Sequence, residues 1–167
     1  MVNELDSEAP EQRARVLDQA LQRRATDVAA LVALAERLAA DPARQGTVKD
    51  TLALLGRLRA AEAVPLMLQL LTFEVYYKSS KRPQTTSDLY PAVQALIDIG
   101  PVAIDALLER VRVDDDAQVQ RNAGVALRGM LGAHRARLLL ADEAQRAPGE
   151  RERRRLQAAA VAVEQAP

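Results

Sequence analysis

The stretch PAVQALIDIGPVAIDALLERV, residues 91–111, predicts two short helices joined by a tight turn. Its apolar residues recur every three or four positions, which is the spacing of one face of an α-helix. Gly100 is placed to end the first helix, and Pro101 begins the second at a position where its missing N–H costs nothing. No segment of the sequence shows the strict alternation of a half-buried strand. The predicted fold class is therefore all-α.

The same helix–turn–helix pattern occurs elsewhere in the chain. Residues 51–71 align with the quoted stretch with a one-residue gap, and residues 123–132 align with its first part. This alignment makes Leu55, Leu96 and Leu127 equivalent, and we expect all three to be buried on the first helices of successive pairs. The second interval, Leu96 to Leu127, is 31 residues, whereas the first is 41. About ten residues are therefore inserted in the earlier unit.

These units resemble HEAT-like repeats of the phycobilisome-lyase type. In that family the first helix reads roughly A-x-x-A-L-x-x-I/L-G, a short turn contains proline, and the second helix reads A-V/I-x-x-L-L-x-L/V. The residues that carry the resemblance are Ala92, Ala95, Leu96, Ile99, Gly100, Pro101, Ala103, Ile104, Leu107, Leu108 and Val111 in the later unit, and Leu55, Gly56, Leu58, Ala63, Val64, Leu68 and Leu71 in the earlier one. The resemblance covers residues 48–140. It implies an α-solenoid of stacked antiparallel helix pairs that binds other macromolecules as a scaffold or adaptor.

The whole chain is predicted to form one HEAT-like repeat domain, residues 1–167. In its N-terminal part we expect one helix from about Pro10 to Arg24 and a second helix that Thr26 caps. The predicted layout, in chain order, is a diverged helix pair (1–46), the repeats (47–140, with an insertion at 74–88) and a C-terminal helix or tail (149–167).

Composition narrows the function classes. The 23 basic and 23 acidic residues balance, so no global charge draws the protein to nucleic acid or to a membrane surface. The absence of cysteine excludes disulfides, thiol catalysis and Cys-ligated metal. No secretory signal or membrane-length apolar run is recognisable, so we expect a cytoplasmic protein. The excess of arginine over lysine, with abundant alanine, is typical of a bacterial coding bias.

The insertion concentrates the aromatic residues of the chain. All four, including Phe73 and Tyr90 at its two sides, fall within residues 73–90. One interpretation is structural, with the rings of Phe73, Tyr76 and Tyr90 pinning a long loop to the helices. The other is functional, because loops on a rigid scaffold commonly carry function and Tyr and Arg are frequent interface hot spots. The candidate partner-binding patch is Tyr76, Tyr77, Lys78, Lys81 and Arg82.

A different function class is nucleic-acid binding through C-terminal arginines. Residues 121–167 hold nine arginines against five acidic residues, and arginine contacts to phosphate dominate nucleic-acid affinity. Glu143, Glu150 and Glu152 dilute this charge, so a solvated Arg/Glu helix is the favoured interpretation. The candidate polyanion contacts are Arg135, Arg137, Arg146, Arg151, Arg153, Arg154 and Arg155.

No motif for catalysis, metal or cofactor stands out. His134 lacks an identifiable nucleophile or carboxylate partner, so we interpret it as an exposed residue in the first turn of a helix. Adjacent carboxylates in the run 114–116 do not converge on one ion, and helix capping is the favoured role. The sequence predicts a non-enzymatic protein-binding adaptor without a cofactor. A lyase-like accessory protein remains the lesser alternative.

Overall fold

Helices account for the regular structure in the part of the chain that the structure describes. The computed structural model describes residues 10–75 and 85–165, with side chains from residue 22 onward. Those residues form nine α-helices and no strand, which confirms the all-α prediction for them. In chain order the helices are α1 (Pro10–Leu38), α2 (Gln45–Arg57), α3 (Val64–Gln69), α4 (Thr86–Leu89), α5 (Pro91–Ile99), α6 (Ile104–Val113), α7 (Ala117–Leu131), α8 (Ala133–Arg146) and α9 (Glu150–Gln165). Short 3-10 turns at Pro42–Arg44, Ala61–Ala63 and Pro101–Ala103 lead into α2, α3 and α6.

The first helix is one element where the sequence predicts two. α1 runs unbroken from Pro10 to Leu38, so the predicted division at Thr26 is wrong. Thr26 does not cap a helix, because its Oγ1 donates a hydrogen bond to the carbonyl of Gln22 one turn earlier, at 3.0 Å. No glycine or proline follows Pro10 in this segment, and its Ala, Arg, Gln and Leu residues are strong helix formers. Helix propensity therefore outweighs the single capping signal.

The first helices of the aligned units lie side by side. α2 contacts α5, and α5 contacts α7. Leu55, Leu96 and Leu127 are each 0% exposed, which confirms that the three aligned positions are buried. A Cβ added at Gly56 would lie only 2.9 Å from the Cα of Ala95, so the glycine allows α2 and α5 to approach closely.

In each of the three aligned units, the first helix (α2, α5 or α7) is followed by a residue with positive φ. Gly100 (φ 92°) follows α5 and Gly132 (φ 79°) follows α7, as the sequence predicts. After α2 the corresponding residue is Arg59 (φ 49°), which has a Cβ and therefore strains the backbone by about 1–2 kcal/mol. Arg24 of α1 donates to the carbonyls of Leu58 and Arg59 at 3.2 and 3.4 Å, which fixes this turn to α1.

The last helix is docked on the others. The sequence predicts either a helix or a tail for residues 149–167. The structure has a helix there, α9, and it packs against α6, α7 and α8. It buries Leu156, Ala159 and Val163. A Cβ at Gly124 of α7 would meet the carbonyl oxygen of Ala159 at 2.3 Å, so only glycine permits this crossing. Close backbone approach thus compensates for the low apolar content of α9.

α1 lies at the α2 end of the row formed by α2, α5 and α7, away from α9. It packs on α2 through Val28 and Ala35, which are buried, and through the partly buried Leu31 and Val32. Its exposed residues from Gln22 onward are polar or alanine, a composition that suits an outer face in contact with water. Neither α1 nor any other single helix of the described ranges is long and apolar enough to cross a lipid bilayer.

Candidate interaction site at the insertion

Along the chain, the predicted partner-binding patch falls between two segments that the structure describes, one ending at Val75 and the other beginning at Thr85. Its residues, Tyr76, Tyr77, Lys78, Lys81 and Arg82, lie outside the described residues, within the range 76–84. On either side of that range, the N–H of Val75 donates to the carbonyl oxygen of Leu89 at 2.8 Å. Val75 is itself 6% exposed and therefore belongs to the packed interior. The two ends of the insertion are held side by side.

A buried asparagine anchors the segment that leads into the insertion. The Nδ2 of Asn122, on α7, donates to the carbonyl oxygen of Leu71 at 2.7 Å. Its Oδ1 accepts a hydrogen bond from Nε2 of Gln118 at 2.8 Å, one helical turn earlier. Asn122 is 0% exposed and its bond to Leu71 is buried, whereas the bond from Gln118 is partly buried. The bond to Leu71 connects residues 51 positions apart and fixes the chain just before the insertion.

Sequence reasoning missed Asn122, although a signal was present. The residue falls three positions after Val119 and four before Ala126, on the apolar face of α7. A polar side chain at a core-facing position must find a hydrogen-bond partner, because burying it unpaired is costly. The pattern therefore indicated a buried polar contact but not its distant partner.

Two aromatic residues beside the insertion are structural. Phe73 and Tyr90 are partly buried and pack against the core, which agrees with the structural interpretation for these two rings. Tyr76, the third ring of that interpretation, lies outside the described residues. Burial raises the pKa of the Tyr90 hydroxyl above its ordinary value, and the negative charge of Glu74 adds to the effect. Both effects favour the neutral form of the Tyr90 hydroxyl.

The second end of the insertion contains a short helix that the sequence analysis did not predict. Residues 74–88 were expected to be irregular, whereas α4 begins within them at Thr86. Thr85 caps α4: its Oγ1 accepts from the N–H of Asp88 at 3.3 Å, and the Asp88 carboxylate accepts from the N–H of Thr85 at 2.9 Å. This reciprocal capping box gives a fixed starting point to residues 85–90.

The C-terminal arginines lie mostly in ion pairs within the chain. Arg135 is the exception, being exposed on α8 without an ion pair among the described residues. The pairs are Arg137 with Glu164 (3.6 Å), Arg146 with Asp142 (2.9 Å), Arg153 and Arg154 with Glu150 (3.0 and 2.9 Å), and Arg151 and Arg155 with Asp115 (3.1 and 2.7 Å). A phosphate at this surface would have to compete with carboxylates that are already in place.

Part of this charge network fastens α9 to the preceding helices. Arg112, near the end of α6, pairs with Glu109 on its own helix, with Glu143 of α8 and with Glu152 of α9. Arg155 of α9 donates from Nη1 to the carbonyl oxygen of Arg112. The guanidinium groups of Arg112 and Arg155 therefore have structural partners on α6, α8 and α9.

The aspartate run before α7 forms caps and ion pairs. Asp116 caps α7 by accepting a hydrogen bond from the N–H of Gln118 at 2.7 Å, which confirms the predicted capping role. Asp114 accepts from the N–H of Asp116 at 2.9 Å. The hydrogen bonds from Arg151 and Arg155 hold the pKa of the Asp115 carboxyl below its ordinary value. In the part of the chain that the structure describes, no group of His, Cys, Asp or Glu residues is arranged to hold a metal ion.

His134 occupies the first turn of α8 and is exposed, which agrees with its interpretation as a surface residue.

Comparison of the chain with protein-family models, with curated proteins and with solved structures gives no match. Function is therefore inferred from the residues themselves.

Proposed function

We propose that this protein is a non-enzymatic adaptor, an α-solenoid of HEAT-like helix pairs that presents residues 76–84 to a protein partner. The observation that carries the proposal is the fixed base of the insertion. Val75 and Leu89 are hydrogen-bonded to each other, and Asn122 holds the carbonyl of Leu71. A recognition loop gains affinity when its ends are already ordered, because less conformational entropy is lost on binding.

The solenoid part of the proposal is supported by the order of the helices. α2, α5 and α7 pack in sequence, and α1 packs on α2 with an outer face that is polar or alanine from Gln22 onward. Repeat arrays need such a terminal element, because an apolar repeat face would otherwise remain in water.

The choice of a protein partner is supported by the composition of the loop. Residues 75–87 contain two tyrosines and three basic residues but no carboxylate. Tyrosine and arginine are enriched at the energetic centres of protein interfaces. The basic residues of the C-terminal region support nucleic acid less well, because six of the seven candidate arginines pair with carboxylates of this chain.

The test is to replace residues 76–84 with a Gly/Ser segment of equal length while retaining Val75 and Thr85. Affinity purification from the native host then compares the two forms of the protein. Proteins recovered with the intact chain should be lost from the replaced form, whereas its melting temperature should stay within about 2 °C, because the length of the loop is unchanged.

The matched control is the double substitution Arg135→Ala and Arg137→Ala, which alters the other candidate surface. It should leave the recovered proteins unchanged. Partners that persist after loop replacement would refute the adaptor site. Sequence-selective DNA binding that survives physiological salt, and is lost in the control, would favour the nucleic-acid alternative instead.

A further inference from the structure

α2 and the turn after it expose two leucines at positions that are buried in the next unit. Leu54 and Leu58, one helical turn apart, are 42% and 37% exposed. The aligned positions, 41 residues further along the chain, are Ala95 and Ile99 of α5, and both of these are buried. The first of the three aligned helices therefore presents apolar side chains to water where the second one does not.

The repeat geometry explains this difference. The corresponding side of α5 faces the preceding helix of the row, because the Cα of Ala95 lies close to Gly56 of α2. The element before α2 is α1, which packs on α2 yet leaves Leu54 and Leu58 partly in water. A side that is covered by a helix in α5 is thus open in α2, and the occupant that suits it is another helix.

Opposite charges flank the leucines on the same side of α2. Asp50 and Arg57 are exposed, one turn before and one turn after Leu54. Within the residues whose side chains the structure describes, neither has an ion pair. Both charges are therefore available to a second molecule. A copy of the same helix that runs in the opposite direction places its Arg57 beside Asp50 and its Asp50 beside Arg57.

We propose that this side of α2 binds the same side of α2 in a second copy of the chain, with the two helices antiparallel and related by a two-fold axis. A two-fold interface uses one patch twice, so the patch must be complementary to itself. The arrangement covers Leu54 in both copies and pairs Asp50 of each copy with Arg57 of the other. Because the interface is one helix wide, we expect weak association, with a dissociation constant of about 10–100 µM.

Sedimentation velocity of the intact chain tests the association. The chain should convert from monomer to dimer between about 5 and 500 µM. Leu54→Glu should raise the dissociation constant about tenfold or more, because it places two carboxylates at the centre of the interface. Leu138→Glu, at an exposed leucine of α8, is the matched control and should change it less than about twofold. Circular dichroism melts check that both variants fold.

Charge reversal tests the antiparallel pairing. Asp50→Arg brings arginines together across the two-fold axis, and Arg57→Asp brings aspartates together, so each variant alone should stay monomeric up to about 500 µM. An equal mixture of the two variants should form a heterodimer, since every opposed pair then contains one acid and one base. This gain of association cannot arise from damaged folding.

Three results would overturn the inference: an intact chain that stays monomeric at about 500 µM, a dimer that Leu54→Glu leaves unchanged, or charge variants that do not associate when mixed. The inference does not depend on the adaptor function, because α2 lies outside the insertion. The form with residues 76–84 replaced should therefore dimerise like the intact chain, and Leu54→Glu should keep the partners that the loop binds. Failure of one proposal is thus distinguishable from failure of the other.

Discussion

Removing the buried amide of Asn122 should loosen the base of the insertion. Asn122→Ala deletes the donor to the Leu71 carbonyl and the acceptor for Gln118, and both bonds are short, at 2.7 and 2.8 Å. Leu71 is 0% exposed, so we expect its carbonyl to lose its side-chain partner without gaining water. The effect should therefore exceed that of an ordinary surface hydrogen bond.

The size of the effect follows from these contacts. A buried acceptor left unsatisfied costs about 1–3 kcal/mol, and loss of the second bond adds about 0.5–1.5 kcal/mol. The free energy of unfolding should fall by about 1.5–4.5 kcal/mol, a large share of the roughly 5–15 kcal/mol typical of a domain. For a chain of this length, that corresponds to a melting temperature lower by roughly 3–18 °C.

Two measurements check this prediction. Urea unfolding followed by circular dichroism gives the change in stability. Gln118→Ala is the comparison that removes only the second bond; it should cost about 1–3 kcal/mol, because it leaves the buried Oδ1 of Asn122 without that donor. The hydrogen-exchange rate of the Val75 amide reports directly on whether the two ends of the insertion stay together, because that N–H donates to the Leu89 carbonyl. A loss below about 0.5 kcal/mol for Asn122→Ala, with unchanged protection of Val75, would refute the anchoring role.

Three other outcomes follow from the packing and the charges. Leu96→Ala should lower the free energy of unfolding by about 2–5 kcal/mol in urea, and a loss under about 1 kcal/mol would show that the site is not core. Arg59→Gly should raise the free energy of unfolding by up to about 1 kcal/mol, and with it the melting temperature, because glycine relieves the strain of a positive φ. A lower melting temperature would contradict this. The pKa of Asp115 is lower in the folded chain than in the unfolded one, so its contribution to stability is present above about pH 4 and is lost as the pH falls further. Asp115→Asn should therefore reduce the drop in stability between pH 5 and about pH 2.5, and an unchanged drop would argue against the ion pairs with α9.

Helix boundaries were predictable where special residues mark them. The sequence predicts that Gly100 ends one helix and that the aspartate run 114–116 caps another; α5 ends at Ile99 and α7 begins at Ala117. Gly100, Pro101 and Asp116 set them through backbone geometry and capping, which act locally and can be recognised from neighbouring residues. The N-terminal region offered only Thr26 as a boundary, and one threonine among strong helix formers does not stop the helix.

The contacts of the candidate site were less predictable because they join distant parts of the chain. Asn122 meets Leu71 across 51 residues, and Arg155 meets Arg112 across 43. Local periodicity shows which face of a helix is buried but not what lies against it. The concentration of Tyr, Lys and Arg in the insertion was visible in the sequence, whereas the bond that closes its base required the three-dimensional arrangement.

Gly124 and Ala159 restrict how this sequence can change over evolution. Any side chain at position 124 would push against the backbone of α9, because its Cβ would stand 2.3 Å from the Ala159 carbonyl oxygen. Substitution of the glycine alone should be rejected by selection wherever the last helix remains docked. In a diverging lineage, a bulkier residue at position 124 would therefore mark chains whose last helix has shifted or been lost. That one position would divide descendants of this chain into those that keep the docked helix and those that do not.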